Sequence, residues 1–263
     1  MDSDFAGLSK RDETHATELV ARLQPNDHTW AKNLIAAAHA QGAQLVTVLE
    51  PEYPSNFYFA HNVQPFLWVR GGLLAEDYRS VAVIGDSDYT IAQACEAARA
   101  LVEAGLTVVA ALRSDVDAAI HTAALRAGGR TIAVLAGGIT MPIGPVEHAN
   151  VAEKIARSGA VVSQFWPDAI PTSKTIELSR VVTSGLADSV YVVDGHDGGP
   201  SHLQAEIALD HSKHVFVPHK LHQEQQWVSR IGFRGGITAV QDIDDLTKQV
   251  VNVVDMTPRM TAL

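Results

Sequence analysis

Val81-Ala82-Val83-Ile84-Gly85-Asp86-Ser87-Asp88 is the stretch that decides the fold. Four uninterrupted apolar residues make a short strand buried on both faces. Gly85 ends it in a tight turn, and a helical pattern runs from Thr90 to Ala104. Within it Ile91, Ala94, Cys95, Ala98, Leu101 and Val102 recur at spacings of three and four, which puts them on one face. Strand, glycine turn and amphipathic helix form the first half of a βαβ unit. The first N–H groups of such a helix lack partners within it. They face the crevice beyond the strand end, where an anion can sit.

The alternation continues downstream. Strands are predicted at Leu106–Leu112, Thr131–Leu135, Ala160–Gln164, Val190–Asp194 and His214–Val217. Helices are predicted at Val116–Ala127, His148–Arg157, Ile176–Gly185, Ser201–His211 and Asp242–Val253, and Gly105, Gly128-Gly129 and Gly159 stop three of the helices. This pattern predicts an α/β fold: a Rossmann-like, mostly parallel sheet with helices on both faces and right-handed crossovers. Upstream, a helix is read over Glu13–Leu23, and Asp27 as the cap of another over His28–Ala40. Gln44–Leu49 and Pro65–Arg70 read as strands around the rigid turn Glu50–Pro54. The chain is accordingly divided into a small helical N-terminal extension with lead-in strands (1–72) and a Rossmann-like domain (73–263) that holds the main sheet.

With 263 residues, 46% apolar and 19% charged, the chain can fill one large core. Its net charge of −10 argues against broad electrostatic capture of nucleic acid, which needs Lys and Arg to displace counterions. A local basic groove or a small-ligand site remains compatible with it. No apolar run approaches the roughly 18 residues of a membrane span, and Met1-Asp2-Ser3-Asp4 is acidic where a secretory signal is basic. One cysteine, Cys95, excludes an internal disulfide and is read as a core residue. A cytoplasmic location is expected.

Nine or so short segments, in order and correctly spaced, resemble the DprA/Smf DNA-processing proteins, relatives of the lysine-decarboxylase-like (LOG) nucleotide-binding group. Glu50-Pro51-Glu52-Tyr53-Pro54 is similar to the family's D-x-x-Y-P, and Pro65–Gly71 to its P-x-L-x-x-x-G. Leu112–His121 resembles L-A-x-G-I-D-x-x-A-H, keeping Leu112, Asp117 and His121, and Thr131–Gly138 matches T-I-A-V-L-x-x-G. Ser163-Gln164 stands where the family has Ser-Glu, Thr175–Ala187 resembles F-x-x-R-N-R-I-I-x-G-L-S, and Val215–Pro218 the V-F-x-V-P strand. The resemblance implies a Rossmann-like fold and a role in holding single-stranded DNA.

The ligand loops depart from the family. G-[ST]-R reads Gly85-Asp86-Ser87, losing an arginine and gaining an acid. S-G-L-A reads Ala110-Ala111-Leu112-Arg113, R-N-R reads Leu178-Ser179-Arg180, and S-G-S-L-x-T-A reads Gly199–Ala205, with Pro200 at the first helical turn. The LOG relatives carry P-G-G-x-G-T-x-x-E, whose glutamate belongs to a phosphoribohydrolase site. Here Gly198-Gly199-Pro200-Ser201-His202 lacks the Gly-Thr and Glu206 falls one position late, which speaks against hydrolysis.

The candidate DNA- or phosphate-binding residues are Gly85, Asp86, Ser87, Arg113, Asp117, His121, Gly137, Gly138, Arg180, Gly198, Gly199, Ser201 and His202. Several carry two readings. Gly85 is a ligand cradle or only a tight turn. Asp117 and His121, at i and i+4, are a carboxylate-held imidazole or a helix cap and a buried histidine. Arg180 binds phosphodiester by its bidentate fork or pairs with Glu177 or Asp188. His211, His214, His219 and His222 lack the accompanying carboxylate spacing of a metal site. No catalytic residue, metal or cofactor is assigned. The best reading is a non-enzymatic mediator that binds single-stranded DNA in recombination or DNA uptake, with a recombinase as partner. Phe216, Trp227, Ile231 and Phe233 are read either as a homodimer face on the far sheet edge, around His214–Val217 and Gly232–Val240, or as residues that pack under the helix Asp242–Val253 within one chain. The alternatives are a sensor or phosphoribohydrolase-like enzyme with a nucleotide ligand, and a degenerate paralogue acting through protein contacts.

Overall fold

The computed structural model describes residues 25–60, 62, 64–233 and 235–257. The helix read at Glu13–Leu23 lies outside them. Helix α1 (Pro25–His39) starts earlier than expected, so Asp27 sits in its first turn rather than at the cap. Then come β1 (Ala43–Thr47), β2 (Phe66–Gly71), β3 (Ser80–Ile84), α2 (Ile91–Glu103), β4 (Thr107–Ala111), α3 (Asp115–Arg126) and β5 (Thr131–Val134). The chain continues through α4 (Val146–Ser158), β6 (Ala160–Ser163), α5 (Ser173–Leu186), β7 (Ser189–Val192), α6 (Pro200–Asp210) and β8 (His214–Pro218). It closes with α7 (His219–Glu224), α8 (Gln226–Gly232), β9 (Ile237–Val240) and α9 (Ile243–Met256).

These strands make one sheet in the order β1-β2-β6-β5-β4-β3-β7-β8-β9. From β6 to β9 all pairings are parallel, as predicted. The main sheet is not confined to the second part of the chain. β1 and β2 extend it, and β2 runs antiparallel to β6 with Trp68 opposite Ser163 and Gly71 opposite Ala160. The backbone of Gly71 explains how that junction closes. Its φ of +86° suits glycine, and a Cβ there would lie 2.7 Å from the Ala156 carbonyl. Arg130 clamps the same corner: Nε and Nη2 donate to Asp77 (2.6 and 2.8 Å) and Nη1 to Ser158 O (3.0 Å).

Both faces are covered. Val81 and Val83 pack with Ala94, Leu101, Ile120 and Leu246 from α2, α3 and α9. Ala82 faces the other way, into a cluster with Phe57, Val182, Ala205 and Trp227. Apolar residues on both faces explain the uninterrupted strand runs. Cys95 is not in the core. It is half-buried and lines a groove of about 810 Å³ between α2, α3 and α4, away from the strand ends.

Helix α5 is longer than expected. Thr172 caps it, its hydroxyl accepting from the Thr175 N–H (3.2 Å), so the helix takes residues read as loop. Ser179 to Leu186 are all buried, and Gly185 lets Phe57 press against the helix, since a Cβ would meet that ring at 2.6 Å. Strand β8 is not an edge, because β9 pairs with it along its length. Phe216, Trp227 and Ile231 are buried within the chain, whereas Phe233 is 94% exposed. Among the described residues, no helix is long and apolar enough to cross a membrane.

Candidate functional site

From β3 the chain builds β4, β5 and β6 on one side, then returns to place β7 on the other. Ligands of open α/β sheets bind at such a reversal, beyond the C-terminal strand ends. A cavity of about 240 Å³ lies there. β3 and the turn after it contribute Ile84, Gly85 and Asp86; β4 and the turn after it contribute Ala111, Arg113 and Ser114; α3 contributes Asp117; α5 contributes Ser179, Arg180 and Thr183; α6 contributes Pro200 and Gln204. Five of the sequence candidates therefore meet: Gly85, Asp86, Arg113, Asp117 and Arg180.

The amide donors expected to hold an anion are already occupied. The Ser201 N–H at the start of α6 donates to Asp86 Oδ2 (3.1 Å), and Pro200 beside it has no N–H. The Asp86 N–H donates to Asp194 Oδ1 (2.7 Å). Helix α2 begins only at Ile91, after a tight turn over Asp88–Thr90 capped by Ser87. Two carboxylates of the protein thus take the two places at which a phosphate would be cradled. Burial raises the Asp194 pKa, and the Asp86 charge adds to the rise against its hydrogen bonds. The acid at position 86 reads as repulsive in sequence; in space it is also a cap on a helix 115 residues away.

The opposite wall is basic. Neither Arg113 nor buried Arg180 makes a side-chain hydrogen bond or ion pair with a described residue, so the pairings considered for Arg180 do not form. Burial lowers the Arg180 pKa, and the nearby Arg113 charge lowers it further. The charges of Glu177 and Asp86 act against this lowering without reaching ion-pair distance, so the two arginines face the cavity with no direct acidic partner among the described residues.

Asp117 and His121 do not hold each other. Asp117 Oδ2 accepts from the Arg113 and Ser114 N–H groups (2.9 and 3.0 Å) while Ser114 Oγ accepts from Asp117 N–H (3.2 Å), a capping box that shapes the Arg113 turn. His121 is fully buried between Thr131 Oγ1 at Nδ1 (2.7 Å) and Ala111 O at Nε2 (2.9 Å). Burial lowers its pKa.

Gly137 and Gly138 line a neighbouring, more apolar cavity of about 260 Å³ with Leu112, Arg113, Met141 and Pro171. A Cβ at Gly138 would overlap the carbonyls of Trp166 and Pro167, so that glycine serves close backbone contact. Gly198 and Gly199 lie outside the cavity. The Gly198 N–H donates to His202 Nδ1 (2.8 Å), and the His202 ring stacks on Trp227 at 4.6 Å. The histidines of the HxxH segments go to separate partners: His211 to Ser184 and Asn62, His214 to Thr238, His219 to Gln223. Sequence reasoning missed Ser179, Thr183 and Gln204 as cavity residues. Only their helical spacing from Arg180 and Pro200 marked them.

A mostly parallel sheet with an arginine-bearing crevice at its reversal point defines a Rossmann-like α/β protein. The chain belongs to the DNA recombination-mediator protein A family, whose model matches residues 44–251. It is 27% identical over 188 residues to DNA processing protein DprA of Bacillus subtilis, covering 70% of this chain and 63% of that one. It is 30% identical over 172 residues to Protein Smf of Escherichia coli, covering 63% and 45%. The chain thus spans about half the length of these curated relatives. Among solved structures it resembles DprA of Streptococcus pneumoniae, with a TM-score of 0.68, 22% identity and coverage of 80% of this chain and 75% of that one. It also resembles DprA of Helicobacter pylori, described as having a unique single-stranded DNA binding mode, with a TM-score of 0.67, 21% identity and coverage of 80% and 96%.

Proposed function

We propose that this protein binds single-stranded DNA in the crevice beyond the ends of β3 and β4 as a cytoplasmic, non-enzymatic recombination mediator. The observation that carries the proposal is the Arg113–Arg180 couple, which has no direct ion-pair partner among the described residues and matches the charge of a phosphodiester. Because Asp86 and Asp194 fill the amide nests, the arginines carry the phosphate contact and Gly85 serves the turn. The Asp117–His121 pair is committed to the fold, which favours a binding site over a proton-transfer site. The family resemblance supports a recombinase as the protein partner. A homodimer across the open edge of β9, with Phe233 at its centre, completes the proposal, supported by the exposure of that ring.

The test is titration of a labelled oligo(dT) at two salt concentrations. Arg180→Ala lowers affinity and reduces the salt slope by about one unit, as expected for one lost phosphate contact. Unchanged affinity and slope in a folded Arg180→Ala variant would place the DNA elsewhere. A nucleotide ligand bound in the crevice in place of DNA would support the sensor reading.

A further inference from the structure

Two of the four tryptophans are buried, Trp68 and Trp227; the other two, Trp30 and Trp166, are half exposed and touch each other. Their rings meet edge to face at 5.2 Å, and Phe66 supports Trp166 from the sheet at 5.8 Å. Ile170, 70% exposed, continues the patch along the same loop. Large aromatic rings left open to water on a soluble fold mark a contact surface.

The sheet order locates this surface. Trp166 follows β6, Gly137 follows β5, Arg113 follows β4 and Gly85 follows β3, and these four strands are neighbours. Platform and arginines therefore lie on one edge of the sheet, two strand spacings apart from β6 to β4, about 10 Å. The connection is rigid. Gly138 N–H donates to Ala169 O (2.8 Å) and Thr140 N–H to Pro167 O (3.0 Å), strapping the tryptophan loop to the wall of the cavity that Arg113 shares. Asp168, exposed beside Trp166, disfavours phosphate there, so a polyanion crossing the platform must meet it with its bases.

Resting on the single-stranded DNA reading of the crevice, we infer that Trp166, braced by Trp30 and Phe66, is a base-stacking platform that extends the site along the strand ends. The partner is unpaired nucleic acid, because only unstacked bases offer their faces to a ring. The arginines would supply charge and the platform would supply length.

The experiment compares a dT oligonucleotide of about 12 nucleotides with an abasic oligonucleotide of equal length and charge, at low salt. Wild type prefers the base-bearing strand, and Trp166→Ala reduces that preference about tenfold, while Trp166→Phe keeps most of it. An unchanged preference in folded Trp166→Ala, with Arg180→Ala still weakened, overturns the platform and leaves the crevice standing. Binding of neither strand by wild type overturns both. A loss of self-association by Trp166→Ala in light scattering, with no effect on DNA, assigns the patch to a second copy of the chain and overturns it as well. If the alanine variant does not fold, wild-type emission decides, since the two buried tryptophans are shielded: base-dependent quenching supports the platform and its absence refutes it.

Discussion

Replacing Asp86 by Asn should strengthen single-stranded DNA binding. Its carboxylate lines the same 240 Å³ cavity as Arg113 and Arg180. A phosphate held there lies on the order of 6 Å from that charge, where repulsion at an effective dielectric of about 20 is about 2–3 kcal/mol. Physiological salt, with a Debye length near 8 Å, roughly halves this, leaving about tenfold in affinity. Asn keeps the oxygen that accepts from the Ser201 N–H, so α6 stays capped. Loss of the charge beside the helix terminus costs about 0.3–1 kcal/mol, partly offset by relief of the Asp194 carboxylate. Fluorescence anisotropy with labelled oligo(dT) near 0.15 M salt measures the change. Unchanged or weaker binding by Asp86→Asn, with an unaltered melting temperature, would show that no phosphate sits near the arginines.

The chain should release no free base from nucleoside monophosphates. Glu206 points away from the crevice, with Oε1 3.4 Å from His202 Nε2, and Gln204 takes the cavity position on that helix. Base release abolished by Glu206→Gln would contradict this. Stability should fall as pH drops from 7 to 5. Burial lowers the pKa of His121 and His214 in the folded chain, so they take up protons at a lower pH than they do in the unfolded chain, where protonation sets in below about 6.5. The unfolded state then binds more protons, and stability is lost as pH falls, approaching about 1.4 kcal/mol per pH unit for each histidine. A urea midpoint that is flat or rising toward pH 5 would refute it. Phe233→Glu should convert the proposed dimer to a particle near 28.2 kDa without loss of helical signal, and a monomeric wild type in light scattering would remove the dimer.

Much of the sheet was legible because its strands are short apolar runs between glycines, and residues buried on both faces leave that mark. Strand β2 was read, but its antiparallel place in the main sheet was not, because its neighbour β6 lies about ninety positions later in the chain and nothing local records direction. Strand β9 escaped notice because its burial is partial, and Gly235-Gly236 before it looked only like loop. At the site, Arg180 and Gly85 were readable from motif spacing. The double role of Asp86 was not, since its partner Ser201 is remote in sequence and a carboxylate beside a glycine turn looks the same whether it repels a ligand or caps a helix.

The reversal of the chain at β3 also orders events in time. Val81 pairs with Ser189, and Asp86 donates to Asp194, 108 residues downstream. At about 5–20 residues per second, a ribosome delivers β7 on the order of 5–20 s after β3. Through that interval one flank of β3 lacks its neighbour, an open apolar edge of the kind other chains pair with. Arg180 arrives in α5 just ahead of β7, and Pro200 and Gln204 of α6 follow it. The crevice therefore exists only once both halves of the sheet have docked. Whatever it binds then stabilises the finished chain and no earlier intermediate, so occupancy by ligand certifies that folding is complete.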